Sequence, residues 1–166
     1  MIPSWLNEWL ASPWLPAILA FGAFADAFLL TSVFVLGELF FIATGYAVGL
    51  TAQWWLIPLI WASALFGDLS SYWLGQCYGE GIIRRFIHKG AKRRLNYLRA
   101  KRLMQRRGGI AIFTARLTGP IAKFMPFLAG TMHVNFRTVL YASLLGVIIG
   151  TIQFFFIGWL VAVGLN

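Results

Sequence analysis

The chain has 166 residues, of which 60% are apolar and only 11% charged, with a mean hydropathy of +0.75. Soluble domains carry about 25% charged residues, and eight Trp and fifteen Phe add the aromatic excess typical of membrane interfaces, so the composition excludes an ordinary water-soluble globule and describes an integral membrane protein. The single cysteine, Cys77, excludes an internal disulfide or a multi-cysteine metal site, and His88 and His133 give no haem or zinc spacing, so neither a metal nor another cofactor is expected.

Residues 1–16, MIPSWLNEWLASPWLP, contain Glu8 and lack a basic n-region, so they do not read as a cleaved signal peptide. Trp5 and Trp9, like Leu6 and Leu10, recur every four residues, as in an interfacial helix ahead of a single membrane domain over residues 17–166. Ala17 to Leu36 supplies twenty residues interrupted only by Asp26. That is enough to cross a hydrocarbon core of ~30 Å at ~1.5 Å per residue. Leu39 to Leu50 offers only twelve and is too short to cross. Trp54 to Gly79 is a long helix opening on two interfacial tryptophans.

Eleven of the fourteen Lys/Arg then fall between Arg84 and Arg107 with no acid among them. Lying between two apolar halves, this run is expected to be a cytoplasmic connector under the positive-inside rule, and not a nucleic-acid patch. Its apolar residues Ile83, Phe86, Ile87, Leu95 and Leu98 fall roughly at helical spacing, as in a helix resting on an anionic leaflet. Ile110 to Met132 is apolar but broken by Arg116, Gly119, Pro120, Lys123 and Pro126, and Val139 to Gly164 is a clean span.

Two of these segments are short or broken, one in each half. Each has a glycine near its start and another farther on, Gly37 and Gly45 in the first, Gly119 and Gly130 in the second. Paired interrupted segments point to re-entrant hairpins around a midplane site; two ordinary kinked helices are the alternative. Within Trp54 to Gly79, Ser63, Gly67, Ser71, Gly75 and Gly79 recur every four residues, making one face small enough for another helix to approach closely, with Gly146 and Gly150 a shorter matching face. Asp68, next to Gly67, then lies at the edge of a helix contact, where a carboxylate at the bilayer centre costs at least ~2.5 kcal/mol unless paired or hydrated. Glu38, Arg116 and Lys123 are the other ionisable groups of the broken segments. They read either as substrate contacts and proton relays or as a structural ion pair.

The stretches VLGELFFIATGYAVG (35–49), GDLSSYWLGQCYG (67–79) and TARLTGPIAKFMPFLAGTM (114–132) resemble the three signature regions of the DedA family, the bacterial branch of the VTT, or SNARE-associated, membrane proteins. The resemblance implies an all-α membrane fold with transmembrane helices and two opposed re-entrant hairpins. It further implies a multi-pass location in the bacterial inner membrane and a role in carrying phosphate-bearing lipids such as undecaprenyl phosphate, linked to protons. On it, Glu38 matches the acid of the first hairpin, Asp68 the second acid, Arg116 the first arginine of the second hairpin and Gly130 its closing glycine. Leu36 stands where the family has proline, and Ala122 where it has a second arginine, with Lys123 alongside.

Arg116 and Lys123 would then hold the lipid phosphate with backbone donors at half-helix N-termini, while Glu38 or Asp68 changes charge with proton entry. Its partners would be membrane lipids, protons and, in a homo-oligomer, further copies of the chain. A non-catalytic scaffold or envelope-assembly factor is the alternative; a lipid-modifying enzyme lacks a visible His-based constellation in the embedded parts. A topology test follows from the basic run. Lys92→Cys in a Cys77→Ser background should resist an impermeant periplasmic thiol reagent in intact cells, and ready labelling would reverse the orientation.

Overall fold

The computed structural model describes residues 12–32, 34–87, 91–117 and 123–164, which form helices and turns. Most of the expected N-terminal interfacial segment, together with Gly119 and Pro120, lies outside the described residues. Among the described residues six helices follow in chain order: α1 (Leu15–Ala27), α2 (Gly37–Thr51), α3 (Leu56–Ile87), α4 (Ala91–Leu117), α5 (Met125–Thr131) and α6 (Phe136–Gly164). Among the described residues only α6, 29 residues with a mean hydropathy of 2.2, is both long and apolar enough to cross a membrane.

The expected twenty-residue span from Ala17 to Leu36 is not one helix. Apolarity continues to Leu36, but α1 stops at Ala27 after 13 residues. The reason is local hydrogen bonding. The Thr31 hydroxyl donates back to the carbonyls of Ala25 and Phe28, and Ser32 Oγ donates to the Leu29 carbonyl at 3.0 Å. Hydroxyl side chains that bond nearby backbone in this way compete with helix propagation. The chain turns and restarts at Gly37.

Helix α2 ends on Ala52, whose φ of 54° is left-handed and whose N–H reaches the Val48 carbonyl at 2.9 Å. Helix α5 carries Pro126 in its first turn, where a missing N–H costs nothing. It closes on His133 (φ 54°), with the Val134 N–H bonded to the Ala129 carbonyl at 3.0 Å, a six-to-one C-terminal closure. Helix α4 is broken at Arg107, where φ −129° and ψ 20° are not helical.

The chain forms two compact units, Met1–Gly67 with Val147–Asn166, and Asp68–Gly146, with α3 and α6 contributing to both. In the first, Leu19, Ala23 and Ala27 of α1 share a core with Phe41 of α2, Ile60 and Ala64 of α3, and Val147 and Phe155 of α6. The rings of Phe41 and Phe155 meet edge to face at 5.8 Å, and Trp61 Nε1 donates to Thr151 Oγ1 at 3.0 Å. In the second, Tyr72 of α3 is buried with Met104 and Ile112 of α4, Ala129 of α5 and Val139 of α6. Its hydroxyl donates to the Val134 carbonyl at 2.7 Å and accepts from Gln76 Nε2 at 2.7 Å, tying α3 to the turn that follows α5.

Helices α2 and α5 are each held to a long helix by glycines on both sides. In the first unit a Cβ on Gly45 of α2 would strike the Phe155 carbonyl of α6, and one on Gly158 of α6 would strike the Ile42 carbonyl and lie 2.8 Å from the Tyr46 nitrogen. In the second, a Cβ on Gly75 of α3 would strike the Phe127 carbonyl and lie 3.1 Å from the Thr131 nitrogen of α5; one on Gly130 of α5 would strike the Tyr72 carbonyl and lie 3.0 Å from the Gln76 nitrogen. Three of the four thus point at the carbonyl of residue i and the nitrogen of residue i+4 in the facing helix. The backbones touch where side chains normally keep helices apart. Gly75→Leu should therefore overpack the α3–α5 contact, at a cost of about 1–3 kcal/mol or more. Thermal unfolding in detergent should show the loss, and an unchanged midpoint would mean that the contact does not hold α5 in place.

Candidate functional site

Asp26 and Glu38 sit at the break between α1 and α2, Arg116 and Lys123 at the break between α4 and α5, and Asp68 beside the glycine contact at Gly67. Gly67 meets α1: a Cβ there would lie 2.7 Å from the Phe24 carbonyl and 2.8 Å from the Ala27 Cβ. Asp68 follows it on α3 and is 1% exposed, beside a fully buried Ser71. In the same unit Ser143 of α6 is fully buried, and its Oγ lacks a hydrogen-bond partner. Asp68 and Lys123 each take part in polar or electrostatic contacts, so neither is an isolated charge. Asp68 is therefore a buried carboxyl side chain on a helix of a membrane protein, the kind of group that serves binding or proton transfer.

The remaining ladder residues divide between the two units. Ser63, partly buried, and Gly67 lie in the first; Ser71, Gly75 and Gly79 lie in the second, where Gly79 faces the Thr131 side chain. The nearest contacts of Gly67 are with α1, and those of Gly75 and Gly79 are with α5.

Glu38 is the second residue of α2 and is exposed. Its position is set by a residue that sequence reading treated only as an interruption. Asp26, one residue from the end of α1, accepts the Gly37 N–H on Oδ1 at 3.1 Å. Its carboxyl also fills the space that a Cβ on Gly37 would need. The first N–H groups of a helix have no partner within it, and a carboxylate there also meets the positive end of the helix dipole. Asp26 thus caps α2 from eleven residues upstream and fixes where Glu38 emerges. An acid inside an apolar run was the available signal. The partner was not readable, because a capping side chain normally comes from the residue immediately before its helix.

Arg116 lies in the last turn of α4. Lys123, partly buried, precedes α5 by two residues, and Pro126 and Gly130 are buried within α5. The structure thus places Asp68, Arg116, Lys123, Pro126 and Gly130 in the second unit, and Gly37, Glu38 and Gly45 in the first. Among the described residues no group of three or more His, Cys, Asp or Glu could hold a metal, and Cys77 is exposed.

The cap makes a prediction that separates hydrogen bonding from charge. Asp26→Asn keeps an oxygen acceptor for the Gly37 N–H and should leave stability nearly unchanged, whereas Asp26→Ala should cost about 0.5–2 kcal/mol. Equal losses for both variants in thermal unfolding would assign the role to the charge of Asp26 and not to the hydrogen bond.

A family model described as the VTT domain matches residues 33–160 of the chain. Protein DedA of Escherichia coli K12 is 24% identical to it over 151 residues, covering 88% of this chain and 68% of the relative. Protein DedA of Escherichia coli O157:H7 gives the same figures, 24% over 151 residues with 88% and 68% covered. No solved structure gives a significant match.

Proposed function

We propose a function from one premise: the chain belongs to the VTT domain family and is a membrane protein related to the DedA proteins. The reading supported best is proton-linked translocation of a phosphate-bearing lipid, such as undecaprenyl phosphate, across the bacterial inner membrane, by transport and not by catalysis. The observation that carries it is the burial of Asp68, 1% exposed, in a chain with only five acids. An acid kept at such a position against its desolvation cost is a functional group by default.

In this reading the turn after α1 with α2, and the segment before α5 with α5, act as two re-entrant hairpins. Their lengths support it: 15 and 7 residues rise about 22 Å and about 10 Å, short of the ~30 Å hydrocarbon core. Arg116 and Lys123 receive the lipid phosphate, Arg116 through its planar bidentate fork and Lys123 as a point charge on a flexible stem. Asp68 holds Arg116 when ionised and releases it when protonated, so proton entry frees the cation for phosphate. Glu38, at the start of α2, exchanges protons on its own hairpin. The basic connector faces the cytoplasm.

The reciprocal glycine contacts support a second reading, a scaffold that works by packing alone and tolerates loss of the charges. One pair of variants divides the two. Asp68→Asn keeps size and hydrogen bonding but removes titration. The transport reading expects it to accumulate with near-normal thermal stability and to stop moving lipid, with Arg116→Gln equally inactive. If the acid only neutralises Arg116, Asp68→Asn should cost about 3–5 kcal/mol and Arg116→Gln in the same chain should restore stability. Normal lipid movement by well-folded Asp68→Asn across the pH range would favour the scaffold.

A further inference from the structure

We propose that the basic half of α4 is a strap that binds the anionic phospholipid headgroups of the leaflet it rests on. Three observations meet there. Eight of the fourteen Lys/Arg lie on this helix between Lys92 and Arg107 with no acid among them, whereas Gly108 to Leu117 carries a single charge, Arg116. The helix breaks at Arg107, at the boundary between those two compositions. And just before the break, Leu98, Arg102 and Arg106 are exposed at a spacing of four residues, so they share one face, with Gln105 and Arg107 exposed beside them.

A straight helix of mixed composition would have to keep its charged and apolar halves on one axis. A break at the boundary lets the apolar half enter lipid while the basic half lies along the headgroup plane. Basic residues close to such a surface gain from its negative potential, and an apolar side chain among them, here Leu98 at 44% exposure, can dip into the headgroup–acyl boundary. The strap is anchored by Met104, which is buried in the core of its unit, and by Gly108, where a Cβ would lie 3.2 Å from a Val134 methyl; from the exposed side Gln105 Nε2 donates to the Met132 carbonyl at 3.2 Å. Charge alone would also suit a nucleic acid. The membrane nature of the chain, the break and the exposed Leu98 favour a lipid surface. This inference does not depend on transport and would hold equally for a scaffold.

The test uses the full chain in bilayers mixing phosphatidylglycerol with phosphatidylcholine, with spin-labelled versions of each lipid reporting their relative association with the protein. Phosphatidylglycerol should be preferred at low salt, and the preference should fall as salt rises. The triple variant Arg102→Gln, Arg106→Gln, Arg107→Gln should weaken phosphatidylglycerol binding by up to about 100-fold, roughly fivefold per residue. Equal association of the two lipids, or a preference that neither salt nor the variant changes, overturns the proposal. Should the variant fail to fold, a fluorophore on Leu98→Cys in a Cys77→Ser background gives a second readout. A headgroup-located quencher should reach it more strongly in phosphatidylglycerol bilayers than in pure phosphatidylcholine, and equal quenching overturns the strap. A single-stranded oligonucleotide that binds the solubilised chain and resists displacement by phosphatidylglycerol would reassign the surface to nucleic acid.

Discussion

Helices α2 and α5 are too short to span a bilayer, and each is fastened backbone to backbone onto a long helix. Gly45 and Gly158 make that contact between α2 and α6, Gly75 and Gly130 between α5 and α3. In lipid there is no water-driven collapse to hold a short helix in place, so association depends on close packing. A glycine on each side brings the Cα of one helix over the peptide groups of the other, where weak Cα–H···O contacts add to dispersion. Both short helices begin or end at non-helical turns, and such backbone is tolerated at membrane depth only where protein or a wet cavity satisfies it. Those four glycines let the short helices approach their long partners to backbone contact.

The polar chemistry depends on the same arrangement. Asp26 can cap α2 only because Gly37 leaves room for its carboxyl, and that cap sets the position of Glu38. Asp68 is buried directly after Gly67, where α3 meets α1 at contact distance. Arg116 and Lys123 flank the segment that leads into α5, which Gly130 fixes to α3. Small residues thus set the positions of the charged ones. A side chain at Gly37 would collide directly with the Asp26 carboxyl.

Much of this was legible in sequence, and the failures have physical causes. Apolar length located α6, the shortness of the Leu39–Leu50 segment marked α2, and the glycine and proline breaks between 110 and 132 marked the region of α5. The end of α1 at Ala27 was missed because the following residues stay apolar. Composition does not distinguish a helix from an apolar turn whose hydroxyls bond back to the chain. The small ladder on α3 was visible as a spacing of four, but spacing names a face and not its neighbour. Gly67 turned out to face α1, and Gly75 and Gly79 to face α5. The break at Arg107 had a compositional trace, the change from basic to apolar at Gly108, although no proline marks it. Asp68 and Glu38 stood out as acids in apolar surroundings; the cap formed by Asp26 needed the tertiary fold.

In the proposed function a buried acid and the cations of the second broken segment move a lipid phosphate in step with protons. The most direct measurement is transbilayer movement of a fluorescent polyprenyl phosphate in proteoliposomes holding the purified chain, with and without an imposed pH gradient. Proton-linked transport predicts movement above that of protein-free vesicles, faster with the gradient than without it, slowed to the no-gradient rate by a protonophore, and abolished by Arg116→Ala. Movement no faster than in protein-free vesicles under every condition would contradict it and leave the glycine-packed scaffold as the function of the fold.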